Sequence, residues 1–201
     1  MNEMNRNFPT RKPTICVFCG SSHGALPLYT EIARNFGKHM TEAGFDLVFG
    51  GGGIGLMGEV ASTVSQAGGR VLGVIPSFLR HLEPPLGIST ELVITETMNE
   101  RKAVMFDAAD SFAVLPGGLG TLDEFSEAVT YAQLRQHAKP IVLVNANGFF
   151  DPLLGFLNHI VAEGFAQPET KALYRVAPTV EDAIAFLAAE LNKVQAGAPS
   201  R

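Results

Sequence analysis

Apolar residues gather in six short runs, near 14–19, 45–49, 70–75, 90–94, 111–115 and 140–145, and each run gives way to a stretch where apolar positions return every three to four residues. Runs such as 112–115 (FAVL) and 141–144 (IVLV) are continuously apolar rather than alternating, which predicts strands covered on both faces. The intervening stretches, near 27–43, 54–67, 97–109, 119–137 and 150–164, predict helices. Pro178-Thr179 prepares a last helix over about 180–194, with Ala183, Ile184, Leu187 and Leu191 on one face. The alternation predicts the α/β class: a Rossmann-like, doubly wound parallel sheet with helices on both faces. A length of 201 residues suits one well-cored domain, expected over 14–194, with 1–13 and 195–201 as flexible ends.

Composition narrows the chemistry. Hydrophobic content of 46% with 21 glycines fits the α/β class, and a net charge of −5 offers no general attraction to nucleic acid or acidic membranes. A phosphorylated ligand must therefore be held locally. No run approaches the roughly 20 apolar residues of a membrane-spanning helix, and the polar start MNEMNRNFPTRK lacks a signal-peptide core, so a cytoplasmic protein is expected. Cys16 and Cys19 form a CxxC, but inside an apolar run they read as buried small hydrophobes; a redox pair needs its first thiol at a helix N-terminus. The histidines His23, His39, His81, His137 and His159 fall at no metal-ligand spacing, and neither HExxH nor GxSxG is present. No metal is expected. Glu59 and the charges of Glu31, Arg34 and Lys38 read as solvated helix faces.

The strongest candidate site is 115–124 (LPGGLGTLDE), where an apolar strand runs into glycines and then into a helix. Gly117, Gly118 and Gly120 let a ligand approach the backbone, and the helix from about Leu119 supplies unpaired N–H groups and a positive dipole end. An anion is expected there. Glu124 would repel a phosphate, so its place is against sugar hydroxyls or a water. Polar or glycine-rich residues also follow the first two strands, at 20–22 and 50–53, and parallel strand ends share one edge, which predicts one site built from several loops.

The run 50–55 (GGGGIG) satisfies GxGxxG, but the acid a NAD site requires about 20 residues on is missing from 71–76, and 55–58 lacks the Lys-Ser/Thr of an ATPase loop. It reads either as a tight turn or as a ligand contact. In 97–105 (TMNERKAVM), Met98, Arg101, Lys102 and Met105 share a helix face that is half apolar and half cationic. Either the methionines enter the core while Arg101 and Lys102 snorkel outward, or the cations face a ligand.

Taken together and in order, 16–22 (CVFCGSS), 50–58 (GGGGIGLMG), 98–102 (MNERK) and 116–124 (PGGLGTLDE) resemble the Lonely Guy family of cytokinin riboside 5′-monophosphate phosphoribohydrolases. The similarity continues through 130–133 and Lys139-Pro140 to about Thr179. The resemblance implies hydrolysis of the N-glycosidic bond of adenine-type nucleoside 5′-monophosphates to free base and ribose 5-phosphate, with no metal or organic cofactor. It implies Arg101 and Glu124 as the catalytic pair, with Glu83, Lys102, Gly118, Leu119, Gly120, Thr121, Leu122, Asp123 and Thr130 lining the substrate site, and a homodimer with the site near its interface. Asn99, Leu119 and Asp123 depart from the commoner family residues and bear on base preference and rate. A general AMP nucleosidase and a molybdenum-cofactor carrier remain as alternatives; the lysine decarboxylase label some relatives carry has no recognisable pyridoxal site here.

Overall fold

Strands that are apolar at every position need cover on both faces, and the computed structural model, which describes residues 12–81 and 91–197, provides it. The chain forms β1 (Thr14–Phe18), α1 (Pro27–Glu42), β2 (Asp46–Phe49), α2 (Gly55–Gln66), β3 (Val71–Pro76), β4 (Glu91–Thr95), α3 (Met98–Ala108), β5 (Ser111–Val114), α4 (Leu119–Gln133), β6 (Ile141–Val144), α5 (Asp151–Ala162), β7 (Arg175–Ala177) and α6 (Val180–Gly197). All strand pairs are parallel, in the order β4-β3-β2-β1-β5-β6-β7. The chain winds outward from β1 to β4, returns to β5 beside β1, and winds outward again. That reversal is the switch point of a doubly wound sheet, and it opens a crevice at the carboxyl ends of β1 and β5.

Successive residues of β1 point to opposite faces and seed two cores. Ile15 and Val17 pack with α1, α2 and α6; Cys16 and Phe18 pack with α3, α4 and α5. In the second core Phe106 of α3 lies 4.7 Å, centroid to centroid, from Phe112 of β5, which in turn stacks on Phe18 at 5.7 Å. This aromatic group anchors α3 one turn below Arg101. The helix begins where it does because Thr97 caps it: its hydroxyl accepts from Glu100 N–H at 3.1 Å, while Glu100 Oε2 accepts from Glu96 N–H at 2.9 Å. A side-chain cap of this kind stabilises a helix start by about 1 kcal/mol and here fixes the rotation of the first turn.

The six expected strands and six helices are present, and three details differ. β7 was not foreseen, because a three-residue edge strand carries too little apolar signal. α4 ends at Gln133 rather than 137, where Arg135 adopts φ 57° and turns the chain. α6 continues to Gly197, past the 194 expected. Among the described residues no helix is long and apolar enough to cross a membrane.

Candidate active site

Three loops meet at the crevice, and their backbones are joined. Gly20 N–H donates to Pro116 O at 3.1 Å, Met57 N–H to Gly20 O at 3.2 Å, and Leu56 N–H to Ser22 O at 3.4 Å. The last two bonds consume first-turn donors of α2. Gly55 has φ +62°, and a Cβ there would run into the Ser21-Ser22 peptide, so the glycine run after β2 is a tight turn packed on the first loop. The start of α4 is different. Its N-cap, Gly118, provides no side-chain cap, and a Cβ on Gly118 or Gly120 would meet nothing within 4 Å. Open space in front of a helix N-terminus is an arrangement that accepts an anion.

Arg101 does not snorkel outward. It is only 6% exposed, and its guanidinium spans β3 and the loop after β2: Nε donates to Val74 O at 3.2 Å and Nη2 to Gly50 O at 3.0 Å. Two of its three nitrogens are thereby fixed, and Nη1 reaches Met98 Sδ at 3.9 Å and faces Glu124 Oε1 at 4.0 Å. Glu124, on the buried face of α4, is 7% exposed. At this separation the pair attracts without a direct hydrogen bond. Both groups are buried, and removing either would take away an opposite charge that helps hold the other there.

Lys102, the next residue, points to the neighbouring face of α4. Its Nζ contacts Glu127 Oε2 at 2.5 Å and Asp123 Oδ2 at 3.0 Å, with the side chain 13% exposed. Burial disfavours its charge, but the two carboxylates outweigh burial and raise its pKa. Glu127 also bonds Tyr131, whose pKa it raises. A lysine so held is a protonated tie between α3 and α4 rather than an amine nucleophile.

Arg101, Gly120, Thr121 and Glu124 line one cavity of ≈ 90 Å³ with Cys19, Gly20, Ser21 and Met57. The expected residues divide around it. Leu119, the first residue of α4, is 86% exposed and does not line the cavity; Leu122 is half-buried; Asp123 and Thr130 lie on the exposed face of α4 with Glu127, at i, i+7 and i+4. Glu83 lies outside the described residues. Sequence reasoning missed Met57, which carried no signal, and Glu127 and Tyr131, which the spacing from Asp123 could have revealed. It also treated Glu59 as solvated, whereas Glu59 Oε2 accepts from Arg34 Nε at 2.7 Å and ties α2 to α1. Cys16 and Cys19 are buried as expected; burial first, and the charge of Glu124 second, push both thiols up, which keeps Cys19 protonated beside the carboxylate. Among the described residues no cluster of three or more His, Cys, Asp and Glu could hold a metal ion.

A family model described as "Possible lysine decarboxylase" matches residues 57–187. The chain is 42% identical over 186 residues to the cytokinin riboside 5′-monophosphate phosphoribohydrolase LOG of Oryza sativa subsp. japonica, covering 91% of this chain and 76% of the relative. It is 43% identical over 175 residues to the enzyme of the same name, LOG7, of Arabidopsis thaliana, covering 87% and 81%. Among solved structures, the molybdenum cofactor binding protein of Rippkaea orientalis superposes with a TM-score of 0.70 at 23% identity, over 90% of this chain and 99% of that one. That likeness concerns the fold. The likeness in sequence runs through the loops that build the crevice as well as the strands that support them, and by it the chain belongs to the LOG family of cytokinin riboside 5′-monophosphate phosphoribohydrolases.

Proposed function

We propose that this protein hydrolyses the N-glycosidic bond of cytokinin riboside 5′-monophosphates, and of AMP, releasing free base and ribose 5-phosphate. The observation that carries the reading is the buried Arg101–Glu124 pair, facing a small cavity beside the unencumbered N-terminus of α4. In the reaction, water adds to C1′ of the ribose, the C1′–N bond breaks with its electron pair leaving on the base, and the base takes up a proton. The transition state carries oxocarbenium character. Glu124 stabilises that charge and orients the water; the N–H groups at the start of α4, with Thr121, hold the 5′-phosphate. Arg101, pinned by two carbonyls, holds its charge opposite Glu124 and presents Nη1 to the ribose or the departing base.

A cavity of ≈ 90 Å³ has room for the reacting part of the substrate only, so the base extends outside it. The resemblance to the family supports a homodimer in which a second copy lies near the site. Sedimentation of the purified chain tests the dimer; a monomer at micromolar concentration would overturn it.

The deciding experiment supplies N6-isopentenyladenosine 5′-monophosphate, AMP and adenosine separately and quantifies free base. Release from the monophosphates and not from adenosine is expected, because binding energy from the phosphate is used at the sugar. Glu124→Ala is expected to lose at least about 10²-fold in kcat while still binding AMP. An active Glu124→Ala protein would sink the assignment. The ratio of the two monophosphates separates cytokinin activation from a general AMP nucleosidase, and no release with AMP still bound would favour a carrier.

A further inference from the structure

A larger cavity, of ≈ 770 Å³, lies at the opposite end of the sheet from the Arg101–Glu124 pair, where β6 and β7 begin. Its volume is in the range of small-molecule sites, about 300–1,000 Å³. Four cationic side chains line it, Arg135, Lys139, Lys171 and Arg175, against one carboxylate, Glu190. In a chain of net charge −5 this local excess needs a reason. Lys139 is already committed, its Nζ donating to Phe106 O at 2.6 Å, and Glu190 is paired with Lys193 at 2.6 Å. Among the described residues Arg135, Lys171 and Arg175 have no ion pair. Three cations from two separate segments therefore meet at one cavity that a single carboxylate, Glu190, lines.

Arg135 adds a second observation. It follows Leu134, the C-cap of α4, at φ 57°, in a terminal turn where Arg135 N–H donates to Ala132 O at 3.0 Å and Gln136 N–H to Tyr131 O at 2.8 Å. Glycine is the usual residue in this left-handed position, and a side chain there is strained. A cation near a helix C-terminus is favourable in itself, but that does not bring Lys171 and Arg175 to the same place. The apolar side of the cavity is aromatic: Tyr174, held edge-on by Phe125 at 5.4 Å, and Phe186.

We propose that this cavity is a second ligand site, which takes a nucleoside phosphate: the phosphate meets Arg135, Lys171 and Arg175, and the base lies against Tyr174 and Phe186. The site stands apart from the reaction centre and does not depend on what that centre does. α4 connects the two, with Glu124 near its start and Arg135 just past its end.

The test is an amide-resolved NMR titration of the full chain carrying Glu124→Ala, with AMP, adenosine and inorganic phosphate as probes. AMP is expected to move the amides of 132–141 and 171–175, with adenosine and inorganic phosphate each at least about tenfold weaker. Arg135→Gly should weaken that response about tenfold with Tm unchanged or higher, since glycine suits the left-handed turn, and Lys171→Gln should weaken it likewise. In the otherwise native chain both substitutions should leave base release unchanged. AMP shifts confined to 117–124, or unaltered by Arg135→Gly and Lys171→Gln, would overturn the site. Equal affinity for inorganic phosphate would overturn the nucleotide.

Discussion

Arg101 lies directly against Gly50: its Nη2 donates to the Gly50 carbonyl at 3.0 Å, and a Cβ on Gly50 would overlap that same nitrogen. The glycine after β2 is thus explained by the arginine of α3, in direct contact with it though 51 positions away in sequence. Gly50→Ala must push the guanidinium out of place while leaving all the charges present. A displacement of about 1 Å in a positioned group costs on the order of 10²-fold in rate, so kcat for base release is expected to fall by about that factor. Base release and thermal unfolding, measured side by side, separate this from general destabilisation. Native kcat in Gly50→Ala would show that the placement of Arg101 is immaterial.

Lys102 ties α3 to α4 through Glu127 and Asp123. Lys102→Met removes the cation and leaves two carboxylates facing each other, and is expected to destabilise the fold by about 1–3 kcal/mol. Adding Glu127→Gln should recover part of the loss, giving a coupling energy above about 0.5 kcal/mol in a double-mutant cycle by urea unfolding. Additive effects would mean that the contact contributes nothing to stability.

The ring of His137 is held in one tautomer. Lys139 N–H donates to its Nδ1 at 3.2 Å, which leaves the proton on Nε2 to donate to Ala128 O at 3.0 Å. Burial first, and the charge of Lys139 last, lower its pKa, outweighing the bond to Ala128. The folded state therefore disfavours the protonated ring. The resulting stability is present above the unfolded pKa of about 6.5 and is lost as pH falls through the folded value. NMR titration should give His137 a pKa below 6.5 with the proton on Nε2 at neutral pH; a value above 6.5 would contradict these contacts.

The buried thiols act at the other end of the pH scale. Burial raises both, so above the unfolded value of about 9 the unfolded chain releases protons that the folded chain keeps. Stability is complete below that pH and declines above it, with each cysteine adding up to about 1.4 kcal/mol per pH unit. Cys19→Ala should flatten the decline of Tm between pH 9 and 10.5. An unchanged slope would mean that Cys19 ionises in the folded protein.

Much of this molecule was legible before any coordinates. Unbroken apolar runs at 112–115 and 141–144 required cover on both faces, hence a parallel sheet, hence a crevice at its carboxyl edge. The glycines and hydroxyl of 117–121 identified the open helix start, because open backbone at a helix N-terminus is a local property of the chain. Position in space was not legible. Whether Arg101 turned outward or inward depended on carbonyls of β3 and of the loop after β2, and whether Lys102 met a ligand or a carboxylate depended on the rotation of α4. The basic cavity was equally hidden, since Arg135 and Arg175 lie 40 positions apart and β7, which carries one of them, is too short to announce itself. Strands and helices follow from periodicities within about ten residues, which the sequence contains by itself. The facing of charges and the joining of distant cations arise only when the sheet order sets separate segments side by side, and that was decided by the tertiary structure.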